Sequence, residues 1–171
     1  IEGDSTFVKE LLTDGKCDIA FLRSESSSVK EFNSIPYMID YLTAVLPATH
    51  PLAKADNLPF EQLRGETFLL FPEHSFINDL CIRECRNAGF EPHIAYTGNR
   101  GATLIDLVRN GAGITLMMHH SARQENDSSL AFIPVTPGIY SYISLNYAKE
   151  KPLSPQAESF VRYVKAHKRD F

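Results

Sequence analysis

Three places in this chain bring hydroxyls, an amide and backbone N–H groups to the expected start of a helix: residues 3–6, 71–77 and 97–103. The first N–H groups of a helix have no partner within it, and the helix dipole makes that end favourable for an anion. The side chains on offer are Ser5 and Thr6, then Ser75 with Phe76 and Ile77 beside it, then Thr97 and Asn99. This is recognition chemistry, suited to a small polar molecule carrying a carboxylate, with Phe76 or Ile77 for apolar contact. Ser5 and Ser75 serve equally well as plain helix caps.

Other reactive residue types point nowhere as clearly. His119 and His120 are adjacent, so on an extended chain their rings diverge, and no Asp, Glu or Cys follows at metal-ligand spacing. Ser75, His74 and Asp79 are the types of a nucleophilic triad, yet the G-x-S-x-G elbow is absent. Gly98-Asn99-Arg100-Gly101 lacks the fuller glycine pattern of a dinucleotide or phosphate loop. Cys81 and Cys85 stand four apart on an expected helix, where they read as small apolar residues, with a redox or metal pair as the alternative. Together with Cys17 they make an odd number without framework spacing, which suits a reducing cytoplasm. No cofactor and no metal site is expected.

Bulk properties set broad limits. With 171 residues, 43% of them hydrophobic, the chain can bury a core as one domain or two small lobes. A net charge of -4 gives no nucleic-acid or anionic-membrane surface on this chain itself. No apolar run approaches the ~18 residues of a membrane span. The opening Ile1-Glu2-Gly3 reads as the middle of a domain, so the chain is expected to be a fragment, and the lack of a leader says little about compartment.

The elements that must position those junctions follow from periodicity. Asp4 or Ser5 caps a first helix with Phe7, Val8, Leu11 and Leu12 inward, ended by Gly15. Residues 17–22 form a buried strand, 32–37 an extended connection and 42–47 another strand. Residues 60–63 make one helical turn and 67–71 a strand. A helix over 76–88, capped by Ser75 and stopped by Gly89, turns Ile77, Leu80, Cys81 and Cys85 inward. A strand over 93–96 precedes TLIDLVRNGAGITLMM (103–118), which reads as a helix with Leu104, Leu107 and Val108 inward, a left-handed turn at Gly111 and a buried strand over 114–118. Strands follow at 130–135 and 141–148. Ser154-Pro155 is a cap with proline at the first helical position, and Ala157, Phe160, Val161 and Val164 face inward on the last helix. Its basic end, Lys165, His167, Lys168 and Arg169, suits the helix dipole.

Alternating strands and helices imply an α/β fold with a mainly parallel sheet and right-handed crossovers. Two connections lack a helix: the one entering 42–47, and the one leaving 130–135, where Pro137-Gly138 leads into 141–148. They suggest a hinge of two strands joining an outer lobe, residues 1–45 with 139–171, to a middle lobe, residues 46–138. A cleft between such lobes is the natural ligand site.

An ordered set of motifs now carries a resemblance. EG (2–3), GKCDIAF (15–21), AVLPATHPLA (44–53), EQLRGETFLL (61–70), AGFEP (88–92) and LVRNGAGITLMM (107–118) resemble the effector-binding domain of LysR-type transcriptional regulators. The match covers nearly the whole chain in the right order. It implies a periplasmic-binding-protein-like fold of two Rossmann-like lobes and an allosteric small-molecule site. It also implies a winged helix-turn-helix N-terminal to this sequence, and a further strand and helix ahead of the EG motif. Arg23 matches a position from which family members reach the effector; taken alone it could be a solvated surface cation. The family pairs such domains antiparallel, which implies a homodimer or homotetramer with the helix near residues 7–12 against the helix near 76–88 of a partner. Peroxide-sensing members carry an attacking cysteine near the start of the middle-lobe helix, where this chain has Phe76, and a resolving one near Cys85.

The reading is therefore a cytoplasmic regulatory domain without catalytic chemistry. It binds a small, anionic organic effector through Ser5, Thr6, Arg23, Ser75, Phe76, Ile77, Thr97 and Asn99, and reaches DNA only through the absent N-terminal part. The alternative is a solute-binding protein of a transport system on the same clamp. An enzyme on that clamp would need a converging acid, base or nucleophile set.

Overall fold

The computed structural model describes residues 1–122 and 127–167. The chain forms two compact units, Ile1–Asp40 with Tyr140–Phe171, and Tyr41–Ile139. Each has its own core.

In the first unit, α1 (Ser5–Thr13) begins where the Asp4 carboxylate accepts N–H bonds from Thr6 and Phe7 at 2.9 and 3.0 Å. β1 (Ile19–Ser24) pairs antiparallel with β8 (Tyr140–Ala148), from Ile19 opposite Tyr147 to Ser24 opposite Tyr142. Beyond β8 lies β2 (Phe32–Pro47). Successive strand residues point to opposite faces. Ala20 and Leu22 therefore meet Leu12 of α1, while Ile19 meets Val161 and Val164 of α5 (Pro155–His167) on the other face.

Several expectations change here. β1 starts two residues later than expected and buries only alternate positions, because a helix covers each face incompletely at its outer edge. Phe21 is exposed, against Tyr37 and Phe160 at ring separations of 5.3 and 6.4 Å. Phe7 and Phe160, expected inside, are also exposed. Phe160 reaches past the edge strand into an open groove of about 400 Å³ that Ile1, Val8, Leu11 and Ile19 also line. The expected connection at 32–37 and strand at 42–47 are one continuous strand, β2, which runs through Pro36 and carries the chain from one unit into the other. Lys168 and Arg169, two of the four residues of the basic end, lie outside the described residues.

The second unit contains the end of β2 and β3 (Leu58–Pro59), β4 (Thr67–Leu70), α2 (Phe76–Asn87), β5 (His93–Thr97), α3 (Gly101–Arg109), β6 (Thr115–Met118), α4 (His119–Ala122) and β7 (Leu130–Thr136). β2 is flanked antiparallel by β6 and β7, with Thr43 opposite both Met117 and Pro134. β4 pairs parallel with β5. A parallel bridge of Phe68 and Ile114 sets β4 beside the start of β6, through Leu69 N–H to Ile114 O and Ile114 N–H to Thr67 O, both 2.8 Å.

The sheet is thus less parallel than the alternation implied. Parallel neighbours need a crossover, and among the described residues α2 and α3 supply it between β4, β5 and β6; β3 and β7, further apart in sequence, add one short parallel pair. α2 and α3 cover opposite faces. Leu80, Cys81 and Cys85 pack with Phe68, Leu70, Leu116 and Met118, whereas Leu104, Ile105 and Val108 pack with Leu69, Met117 and Val45. The turn between α3 and β6 depends on glycine twice. Gly111 is left-handed at φ 76°, and Gly113, at φ 156°, lies so close to β4 that a Cβ would sit 2.4 Å from the Thr67 carbonyl oxygen.

Candidate functional site

In the second unit, parallel pairing of β4 and β5 brings two of the expected junctions to one edge of the sheet. Leu70 and Thr97 are register partners at the carboxyl ends of their strands, and Gly98 N–H donates to Leu70 O at 3.0 Å. Ligands of open α/β sheets bind at such edges, where the connections leave for opposite faces. After β4 the chain turns through His74, which is left-handed at φ 65°, an unusual conformation for a residue with a side chain. Ser75 then caps α2, its hydroxyl accepting from Asn78 N–H at 3.3 Å. Asn78, buried, donates its side-chain amide to Phe71 O at 2.8 Å and so pins the turn to the helix.

The sequence-derived residues of this unit do not play equal parts. Ser75, Phe76 and Ile77 are half-buried, and the last two pack against the core under α2. Thr97 and Asn99 are exposed.

The carboxyl end of β6 adds residues that the sequence reading did not bring into a site. The His119 ring stacks on Tyr41, centroids 4.3 Å apart and planes 19° from parallel. His119 Nδ1 also lies 3.4 Å from Thr43 Oγ1. Tyr41 and Thr43 are two apart on β2 and share a face, a period-two signal legible in the sequence. Their partner His119 is 76 residues away from Thr43, which periodicity does not report.

In the first unit, the structure brings Ser5 and Arg23 together and leaves Thr6 exposed. Ser5 does not cap α1; Asp4 does, and the Thr6 N–H is spent on the Asp4 carboxylate. Ser5 Oγ instead accepts the Arg23 backbone N–H at 3.2 Å, tying the start of α1 to β1. Nor is Arg23 a solvated cation. Its side chain is 16% exposed, Nη1 donates to Ser141 Oγ at 2.6 Å and Nη2 to Asp40 Oδ2 at 3.3 Å. Burial lowers the guanidinium pKa from its ordinary value, and the Asp40 carboxylate opposes that shift.

Among the described residues no group of three His, Cys, Asp or Glu is arranged to hold a metal, and no helix is long and apolar enough to cross a membrane. The cysteines are free, with Cys81 and Cys85 buried.

Comparison with known proteins fits this geometry. The family model described as "LysR substrate binding domain" matches residues 1–169. The transcriptional dual regulator GltC of Bacillus subtilis (strain 168) is 26% identical over 164 residues, 95% of this chain and 55% of GltC. The chain thus spans little more than half the length of that relative. Among solved structures, the regulatory domain of CcmR from Synechocystis PCC6803, in complex with 2-PG, superposes with a TM-score of 0.87 at 16% identity, over 98% of this chain and 81% of that one. The effector-binding domain of QuiR, in complex with shikimate, gives a TM-score of 0.76 at 20% identity, again over 98% and 81%. Identities this low speak for the fold, and the family match speaks for descent. On that match, the chain belongs to the LysR substrate-binding-domain family.

Proposed function

We propose that this chain is the effector-sensing domain of a LysR-type transcriptional regulator, and that its effector is a small organic anion. The observation that carries the reading is the edge formed by β4, β5 and β6 in a domain of this family. There the start of α2 and the loop after β5 lie side by side, which brings the polar side chains of Ser75, Thr97 and Asn99 to one edge. Ser75, Phe76, Ile77, Thr97 and Asn99 serve the effector in this unit, and Ser5, Thr6 and Arg23 in the other. The CcmR and QuiR domains, caught with 2-PG and with shikimate, support a small polar ligand.

The two compact units act as the two regulatory subdomains. Binding shifts the population of their states, and the shift reaches DNA through a winged helix-turn-helix elsewhere in the full protein. The domain works in the cytoplasm as a homodimer or homotetramer, without catalysis and without a cofactor. Descent from regulators favours this over a transport solute-binding protein.

A thermal-shift screen of metabolite acids against their neutral amides tests the reading, with 2-PG and shikimate among the first acids. Acids should raise the melting temperature and their amides should not. Calorimetry on Arg23→Ala should then show roughly 10- to 100-fold weaker binding, the equivalent of one charge-assisted hydrogen bond. A cation or a hydrocarbon as the best ligand would sink the anion reading.

A further inference from the structure

Arg23 reaches its site already opposed. Asp40 is fully buried, its carboxylate on Arg23 Nη2, while Ser141, also fully buried, takes Nη1. We propose that Asp40 is a specificity-determining residue of the effector site: by occupying one edge of the Arg23 guanidinium it sets both the affinity and the charge preference for the anion bound by the remaining N–H groups. The inference rests on the reading of Arg23 as an effector-binding cation.

An arginine has five N–H donors in a planar fork. The structure assigns one to Asp40 and one to Ser141, and the side chain keeps limited exposure, so an incoming anion meets a partly used fork. It also meets a guanidinium paired with a carboxylate that opposes its charge. A monoanion still gains charge-assisted hydrogen bonds from such a pair. Each further negative charge on the ligand gains little more from Arg23 and is repelled by Asp40, which lies a few ångströms behind it. Because Asp40 is out of solvent, salt screens that repulsion only weakly. The pair therefore disfavours ligands in which charge is concentrated. A lone arginine would favour them.

Acetate and sulfate are suitable probes, followed by amide NMR titration of the parent, Asp40→Asn, Arg23→Ala and the double variant. Asp40→Asn keeps the shape and a hydrogen-bonding oxygen while removing the charge. Sulfate affinity should rise about tenfold, acetate affinity by less, and the gain should vanish in the double variant. Arg23-dependent binding left unchanged or weakened by Asp40→Asn overturns the inference alone. Binding that survives Arg23→Ala in both backgrounds overturns the Arg23 reading and this inference with it. If Asp40→Asn does not fold, the parent still decides: the Asp40 side-chain carboxyl carbon resonance should move as sulfate is added, and a stationary resonance while other signals titrate overturns the proposal.

Discussion

Arg23 Nη2 lies 3.3 Å from Asp40 Oδ2, and the two residues stand on different strands, β1 and β2, that β8 separates. Ser141, on that intervening β8, accepts the other guanidinium bond, so one side chain ties three strands together. A carboxylate this deeply buried leans on the Arg23 cation, because water does not reach it to replace that opposing charge.

Arg23→Ala should destabilise the domain by about 3 kcal/mol, the usual cost of breaking a buried ion pair from one side. Replacing both members, Arg23→Ala with Asp40→Ala, should recover part of that loss. Urea denaturation of the parent, both single variants and the double variant measures the coupling. Additive losses would mean that the pair does not act as a unit.

Gly113→Ala should be among the most damaging single-methyl changes in the chain. Its Cβ would stand 2.4 Å from Thr67 O, a backbone atom held by its bond to Ile114 N–H. Relief requires moving β4 away from β6, at a cost of roughly 2–4 kcal/mol. Gly65→Ala, at a similarly unusual φ but with open space around it, should cost less by melting temperature.

Peroxide should not switch this domain. Burial pushes the Cys81 thiol well above its ordinary range and the Cys85 thiol up to about 12, each helped by nearby negative charge. A thiol without thiolate character is a poor nucleophile toward peroxide. In the folded protein a thiol reagent at pH 8 should therefore modify half-exposed Cys17 before either buried cysteine. A Cys81–Cys85 disulfide formed at low peroxide with the fold intact would contradict this.

Acid should expose the contribution of Asp127. Its carboxylate accepts from the Ser129 hydroxyl and N–H and from Arg109, which together lower its pKa from 3.8 to about 2. Because the folded pKa is the lower one, the stabilisation is fully present above about pH 4 and is lost as pH falls through about 2. Asp127→Asn should flatten the stability curve between those two values and lower the plateau at neutral pH. Parallel melting curves for parent and variant across that window would count against it.

Self-association is the fifth expectation. The family pairing, which sets α1 of one copy against α2 of another, predicts a two-fold dimer in which exposed Phe7 is covered. Phe7→Ser should weaken association in sedimentation velocity without lowering the melting temperature of the monomer. A parent chain that stays monomeric at high concentration would argue against the pairing.

Much of the local structure was legible without coordinates, for reasons confined to a few neighbouring residues. Asp4 and Ser75 cap their helices because a short polar side chain reaches the amides two or three residues on. Gly15, Gly89 and Gly111 adopt positive φ just past the helices they end. The spacing of Leu104 and Val108, and the run from Thr115 to Met118, is enough to specify α3 and β6. The ordered motifs carried the family resemblance for the same reason, since each is a short stretch with its own local demands.

What lay beyond the sequence was every choice of partner at long range. The alternation of helix and strand could not reveal that β2 takes β6 and β7 antiparallel on its two edges, because either direction satisfies the same pattern of buried side chains. Nor could it reveal that Phe7 and Phe160 stand exposed: their helices are amphipathic, but the sheet beneath ends at β1. Arg23 shows the difference most plainly. Its position at the end of β1 was readable, yet its state is set by Asp40 and Ser141, which lie 17 and 118 residues away and are brought to it only by strand pairing. Composition and periodicity determine which segments become helices and strands. Whether a charge within them faces water or a buried carboxylate is decided by tertiary packing, because burial depends on neighbours that local sequence does not contain.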